Sequence, residues 1–78
     1  MNALRFYTTA GCTLCDKALE AVRPVAQRLD IELHIIDIMD DPALEQRLGE
    51  RIPVVERRPD GKALGWPFTA ADVYRLAF

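Results

Sequence analysis

Cys12-Thr13-Leu14-Cys15 is the part of the sequence best equipped for chemistry. Two thiols at this spacing can bond to each other and exchange with an outside disulfide. No other cysteine occurs in the chain. Just before the pair, Ala3 to Thr8 sets Leu4 and Phe6 against Arg5 and Tyr7, the alternation of a strand, and Thr8-Thr9-Ala10-Gly11 reads as a turn. From Cys15 onward, Ala18, Leu19, Val22, Val25, Ala26 and Leu29 follow helical spacing, with Lys17, Glu20, Arg23, Gln27 and Arg28 on the wetter side. The cysteines therefore lie where a strand hands over to a helix.

That position has electrostatic consequences. The first amides of a helix lack intrahelical acceptors, and the helix dipole favours negative charge there. Cys12 is expected to hold a stabilised thiolate with a depressed pKa. Cys15, one turn further in and on the apolar face, is expected to be less exposed. The asymmetry makes Cys12 the attacking thiol and Cys15 the resolving one. Gly11 is expected to let a partner approach, since a side chain there would crowd Cys12. Asp16 acts in the opposite sense: its carboxylate suits the first helical turn but repels a thiolate, which limits the pKa drop.

The same sulfurs admit other uses. They would serve as half of a zinc or iron–sulfur site shared between subunits, or as an inert structural pair. A closed zinc site needs four ligands, and within the chain only His34 adds a third nitrogen or sulfur donor. His34 falls on the polar side of an alternating strand, which predicts a surface histidine. Asp37, Asp40 and Asp41 are too few and too local to argue for a metal.

The remaining elements frame the pair. Pro24 sits inside the first helical pattern and predicts a kink there, because the periodicity continues beyond it. Ile31, Leu33 and Ile35 alternate with Glu32 and His34, and the adjacent Ile35-Ile36 predicts a strand covered on both faces. Asp41-Pro42 starts a short helix that buries Leu44 and Leu48, with Gly49 as its C-terminal cap. Ile52 to Arg57 reads as a third strand, Pro59-Asp60-Gly61 as a turn, and Lys62 to Trp66 as the returning strand of a hairpin. Arg57 and Arg58 are expected to be solvated. Thr69-Ala70-Ala71-Asp72 begins a last helix that carries Val73, Leu76 and Phe78 inward. Trp66 and Phe68 are expected to pack beneath that helix, an apolar rim around the cysteines being the alternative. The order is β-α-β-α-β-β-α, with the first two strands parallel and the last two an antiparallel hairpin.

Composition agrees with a small globular unit. The 78 residues suit one domain spanning 1–78, half of them hydrophobic and 28% charged. A formal charge of −2 gives no basic footprint for nucleic acid. No apolar run approaches a membrane span, and the N-terminus lacks a signal-peptide pattern. Two cysteines cannot build the framework that staples small secreted domains. A cytoplasmic domain is the expectation.

The chain resembles the glutaredoxin-like branch of the thioredoxin superfamily over nearly its whole length. The resemblance rests on Phe6-Tyr7-Thr8-Thr9-Ala10-Gly11-Cys12-Thr13-Leu14-Cys15, on Arg51-Ile52-Pro53-Val54-Val55, and on the element order. It implies an α/β thioredoxin-like fold, a four-stranded mixed sheet of order 2-1-3-4 with helices on both faces. It also implies a cis Ile52-Pro53 bond facing the cysteines, with the Ile52 backbone pairing an extended substrate. Gly11, Thr13, Leu14, Arg51, Ile52 and Pro53 then line the substrate site around the catalytic Cys12 and Cys15. The sequence departs from the family where Thr9 replaces a common basic residue, where Thr13 and Leu14 replace a proline and an aromatic, and where Gly65-Trp66 replaces a Gly-Gly pair. Pro67-Phe68 makes the following loop bulkier. These departures predict an impaired glutathione site and affect exchange with a protein or a larger thiol less. Arg51, just before the proline, is the candidate to supply positive charge to the Cys12 sulfur or to a substrate carboxylate.

The expected function is a small thiol-disulfide oxidoreductase, monomeric, with no bound cofactor and with glutathione as an optional co-substrate. Its expected partner is a disulfide-containing protein or a low-molecular-weight thiol, with neither nucleic acid nor membrane involved. A binding module that uses the cysteines for a shared metal or cluster, and a redox sensor, are the competing readings.

Overall fold

The computed structural model describes residues 2–78. Strands β1 (Ala3–Thr8), β2 (Glu32–Asp37), β3 (Val54–Arg58) and β4 (Ala63–Gly65) alternate with helices α1 (Thr13–Leu29), α2 (Pro42–Leu48) and α3 (Ala70–Ala77), and a single 3₁₀ turn covers Ile38–Asp40. The sheet order is β2-β1-β3-β4. β1 runs parallel to β2 and antiparallel to β3, and β3 pairs antiparallel with β4. This is the expected thioredoxin-like order, with β3 beginning two residues later than the sequence predicts and β4 shorter at both ends.

Period-2 alternation on β1 divides the core in two. Leu4 and Phe6 join Val55 under α1 and α3, where Cys15, Ala18, Val22, Val25, Val73 and Leu76 close the larger cluster. On the other face Tyr7 and Val54 pack with Ile38 and Leu48 beneath α2. The Tyr7 hydroxyl donates to Glu56 at 2.9 Å, tying β1 to β3. Burial raises the Tyr7 pKa, and Glu56 adds to that rise.

Local sequence sets the helix ends. Asp41 caps α2 by accepting from the Ala43 amide at 2.9 Å, with Pro42 in the first turn. Thr69 and Asp72 form a reciprocal capping box at α3. α1 continues through Pro24 and ends at Asp30, which adopts the left-handed conformation (φ 53°) while the Asp30 and Ile31 amides return to Ala26 and Gln27 carbonyls.

Three expectations are corrected. Ile35 is 47% exposed, because β2 is an edge strand and its end is not covered. Phe78 lies past the end of α3 and is 81% exposed rather than turned inward. Gly49 is the C-terminal cap of α2 as expected, in right-handed geometry (φ −52°, ψ −36°) and not left-handed. A Cβ at Gly49 would instead approach the Glu45 carbonyl oxygen at 2.6 Å, which makes close approach the reason for glycine.

Arg57 is the third. It is not a free hairpin charge: its guanidinium donates to the Leu76 carbonyl at 2.8 Å and pairs with Asp60, fastening the hairpin to the end of α3. The Arg57 hydrogen bonds are the main reason the Asp60 pKa falls from 3.8 to about 2. A carboxylate depressed in the folded state adds stability above its unfolded pKa and loses it as pH falls through the folded one. The Arg57–Asp60 pair should therefore be intact above about pH 4 and weaken as the pH approaches 2. In Arg57→Ala, NMR titration should find Asp60 back near 3.8, and a value still near 2 would mean that another group holds it down.

Candidate active site

The turn after β1 brings the cysteines to the start of α1. Gly11 takes φ +81°, a conformation that side-chain-bearing residues rarely adopt. Beyond its two chain neighbours, a Cβ there would meet nothing within 4 Å. The positive φ is itself a backbone reason for glycine here.

Cys12 is the N-cap of α1 (φ −87°, ψ 101°), and its Sγ accepts from the Cys15 amide at 3.2 Å. Capping is ordinarily done by an oxygen; here a sulfur takes one of the unpartnered amides. In the thiol form, the same amide and the helix dipole would favour a thiolate on Cys12. Cys12 is partly exposed, whereas Cys15 is 3% exposed and belongs to the larger core cluster. The two sulfurs are joined as a disulfide, with the Cα atoms 5.3 Å apart.

Three concavities surround this end of the sheet. Thr8, Thr9, Gly11, Cys12, Thr13 and Asp16 line a shallow one of about 260 Å³, which places the acidic side chain of Asp16 beside the cysteine loop. A second, of about 710 Å³, runs from Thr9 past Met39 to Arg47 and Arg51. A third, of about 570 Å³, lies between Leu14 and Trp66 and is floored by Ile52 and Val54. Arg51 is exposed and borders the second and third, so it stands between the two rather than deep in either. Among the described residues it forms no ion pair.

The Ile52-Pro53 peptide bond is cis, as are Arg58-Pro59 and Trp66-Pro67, two that sequence reading did not single out. Pro53 is buried, and its carbonyl accepts from the Trp66 amide at 3.1 Å. The Ile52 amide is already engaged, donating to the Leu48 carbonyl at 3.1 Å; the Arg51 amide shares that acceptor at 2.8 Å. Trp66 combines the two roles considered for it: it packs against the core and also walls the third concavity. Its ring meets Phe68 edge-on, with centroids 5.3 Å apart. His34 lies at the surface, paired with Glu32 at 2.9 Å. Among the described residues, no three His, Cys, Asp or Glu side chains converge as a metal site.

Known proteins resemble this chain over nearly its whole length. The family model described as Glutaredoxin-like domain (DUF836) matches residues 3–76. No match was found among the curated proteins. A solved structure of the X. campestris protein XcR50 is 38% identical, with a TM-score of 0.77 over 94% of this chain and 92% of that one. Protein Ne2328 of Nitrosomonas europaea is 28% identical, with a TM-score of 0.74 over 92% and 85% of the two chains. Thioredoxin 1 of Thermosipho africanus, at 20% identity and a TM-score of 0.74 over 95% and 88%, shares the fold.

Proposed function

Because the chain belongs to the glutaredoxin-like domain family, we propose that it is a small thiol-disulfide oxidoreductase in which Cys12 attacks and Cys15 resolves. One observation carries the reading: a disulfide joins a partly exposed helix-capping sulfur to a buried neighbour one turn along. An outside thiol or disulfide reaches the first sulfur far more readily than the second.

In the reduced protein, the Cys12 thiolate attacks one sulfur of a substrate disulfide. A Cys12–substrate disulfide forms, and the substrate's other sulfur leaves as a thiolate that takes a proton from water. Cys15 then gives up its proton, and its sulfur attacks the Cys12 Sγ. The bond to the substrate breaks, and the second substrate thiolate departs. Two electrons have passed from the cysteine pair to the substrate, leaving the Cys12–Cys15 disulfide. An external thiol or a reductase returns two electrons to the pair. Glutathione is an optional co-substrate in that step, and no bound cofactor is needed.

Gly11 and Thr13 flank the attacking sulfur, while Leu14, Arg51, Ile52 and Pro53 form the surface against which a substrate lies. Disulfide-containing proteins or low-molecular-weight thiols are the partners, met by a monomer in the reducing cytoplasm. No described helix is long and apolar enough to cross a membrane.

Equilibration in thiol buffers tests the reading. The protein should pass reversibly between two free thiols and none, and its dithiol form should reduce insulin disulfides with turnover. Failure to exchange, together with zinc or iron retained after anaerobic purification, would move the cysteines to a metal-binding role.

A further inference from the structure

Of the three concavities at this end of the sheet, Cys12 borders the shallow one of about 260 Å³. Thr8, Thr9 and Thr13 in its wall are neutral. Among the described residues of that wall, Asp16 alone carries a charge. Asp16 is exposed and, among the described residues, forms no ion pair. Arg51, the cation expected to serve the Cys12 sulfur, borders the other two concavities and not this one. The reactive sulfur therefore opens onto a negatively charged surface.

The start of α1 carries an opposing partial charge, but it acts first on Cys12 itself, whose sulfur accepts from the Cys15 amide at 3.2 Å. A substrate group one side-chain length from that sulfur meets the full charge of Asp16. A disulfide bearing an ammonium or guanidinium there brings opposite charges together as Cys12 attacks; one bearing a carboxylate brings like charges together. We propose that Asp16 selects substrates by charge. It favours disulfides with a cationic group beside the reacting sulfur, from an aminothiol disulfide or a basic stretch of polypeptide, over those with an anionic one. The inference rests on the oxidoreductase reading and names the substrate class for it. The exchange itself is unchanged; Asp16 decides which disulfide reaches Cys12 most readily.

Cystamine, hydroxyethyl disulfide and dithiodipropionate test it, since they carry an ammonium, a hydroxyl and a carboxylate on the same short scaffold. Offered to the reduced protein, cystamine should exceed dithiodipropionate in kcat/KM, with the neutral compound between them. The three differ in intrinsic reactivity, and all meet the Cys12 thiolate, so the decisive quantity is how the cystamine-to-dithiodipropionate ratio changes on substitution. Asp16→Asn should lower that ratio by about three- to fivefold, the scale on which exposed charges interact. Asp16→Lys should lower it further. Any general change in Cys12 reactivity cancels in the ratio. The Asp16 effect should shrink as salt is raised. Glu20→Gln, an exposed acid further along α1 and outside the concavity, should leave the ratio unchanged at about 0.1 M ionic strength. Disulfide-linked peptides with Lys or Glu beside the cysteine separate the sources: an Asp16-dependent ratio there assigns polypeptides to the site, and dependence with cystamine alone assigns small aminothiol disulfides. A ratio that Asp16→Asn leaves unchanged, or that Glu20→Gln lowers equally, would overturn the proposal, while reduction of hydroxyethyl disulfide would keep the oxidoreductase reading in place. If no disulfide is reduced, insulin included, both fall.

Discussion

Cys12→Ser should bring disulfide exchange down to the uncatalysed background, whereas Cys15→Ser should stop halfway and accumulate a mixed disulfide. Cys12 is the partly exposed sulfur at the head of α1, so its loss removes the atom that an incoming disulfide can reach. Cys15 is 3% exposed and embedded with Ala18 and Val22, so a serine at position 12 leaves it poorly placed to substitute. In Cys15→Ser the first attack still proceeds, but the sulfur that would release the substrate is missing. The contrast is qualitative and large: one variant yields a covalent adduct stable to non-reducing electrophoresis, the other yields none. Mass spectrometry of the reaction with a protein disulfide would place the adduct on Cys12. Equal trapping by both variants, or by neither, would remove the roles assigned to the pair. The pH dependence of adduct formation adds a second reading. The Cys15 amide and the helix dipole should make Cys12 reactive below the ordinary thiol range, and Asp16 beside the loop should limit that gain. Asp16→Asn should accordingly trap faster at mildly acidic pH.

The parts of this arrangement legible in the sequence are those fixed by neighbours along the chain. The spacing of Cys12 and Cys15, the apolar stripe from Ala18 to Leu29, the Asp41-Pro42 start and the Thr69/Asp72 capping box are all local, and each has its physical reason within a turn or two. What escaped the reading depends on partners far along the chain. Arg57 looked solvated because its acceptor, the Leu76 carbonyl, is reached only after the hairpin and α3 have come together. Ile35-Ile36 looked like a strand covered on both faces because nothing in the segment reveals that β2 stands at an edge. That the Ile52 amide is taken by the Leu48 carbonyl depends likewise on how the chain folds back after α2. At the site, the residue types pointed to the chemistry, while only the fold shows that Trp66 both packs against the core and walls a concavity across from Leu14.

Phe6→Ala should be the most damaging single substitution for the fold that holds the cysteines. Phe6 is 1% exposed and lies on β1 between Ile35 of β2 and Val55 of β3, on the face covered by α1 and α3. Its removal loses the transfer energy of a buried ring and leaves a cavity that the strand backbone cannot close, a cost of about 3–5 kcal/mol. A domain of 78 residues has a total stability of roughly 4–12 kcal/mol, so the substitution consumes a quarter of it at the least. Thermal denaturation should show a drop in Tm of at least about 12 °C, or no folded baseline at all. Cys15 shares that cluster, so the reduced variant should also lose the protection of its second thiol, measured as faster alkylation at Cys15 relative to Cys12. Phe78→Ala supplies the matched control. The same ring is lost, but from a position 81% exposed beyond α3, and the change should stay within about 0.5 kcal/mol. Similar losses from the two substitutions would mean that the larger core is not organised around β1 as described, and the burial that distinguishes Cys15 from Cys12 would lose its basis with it.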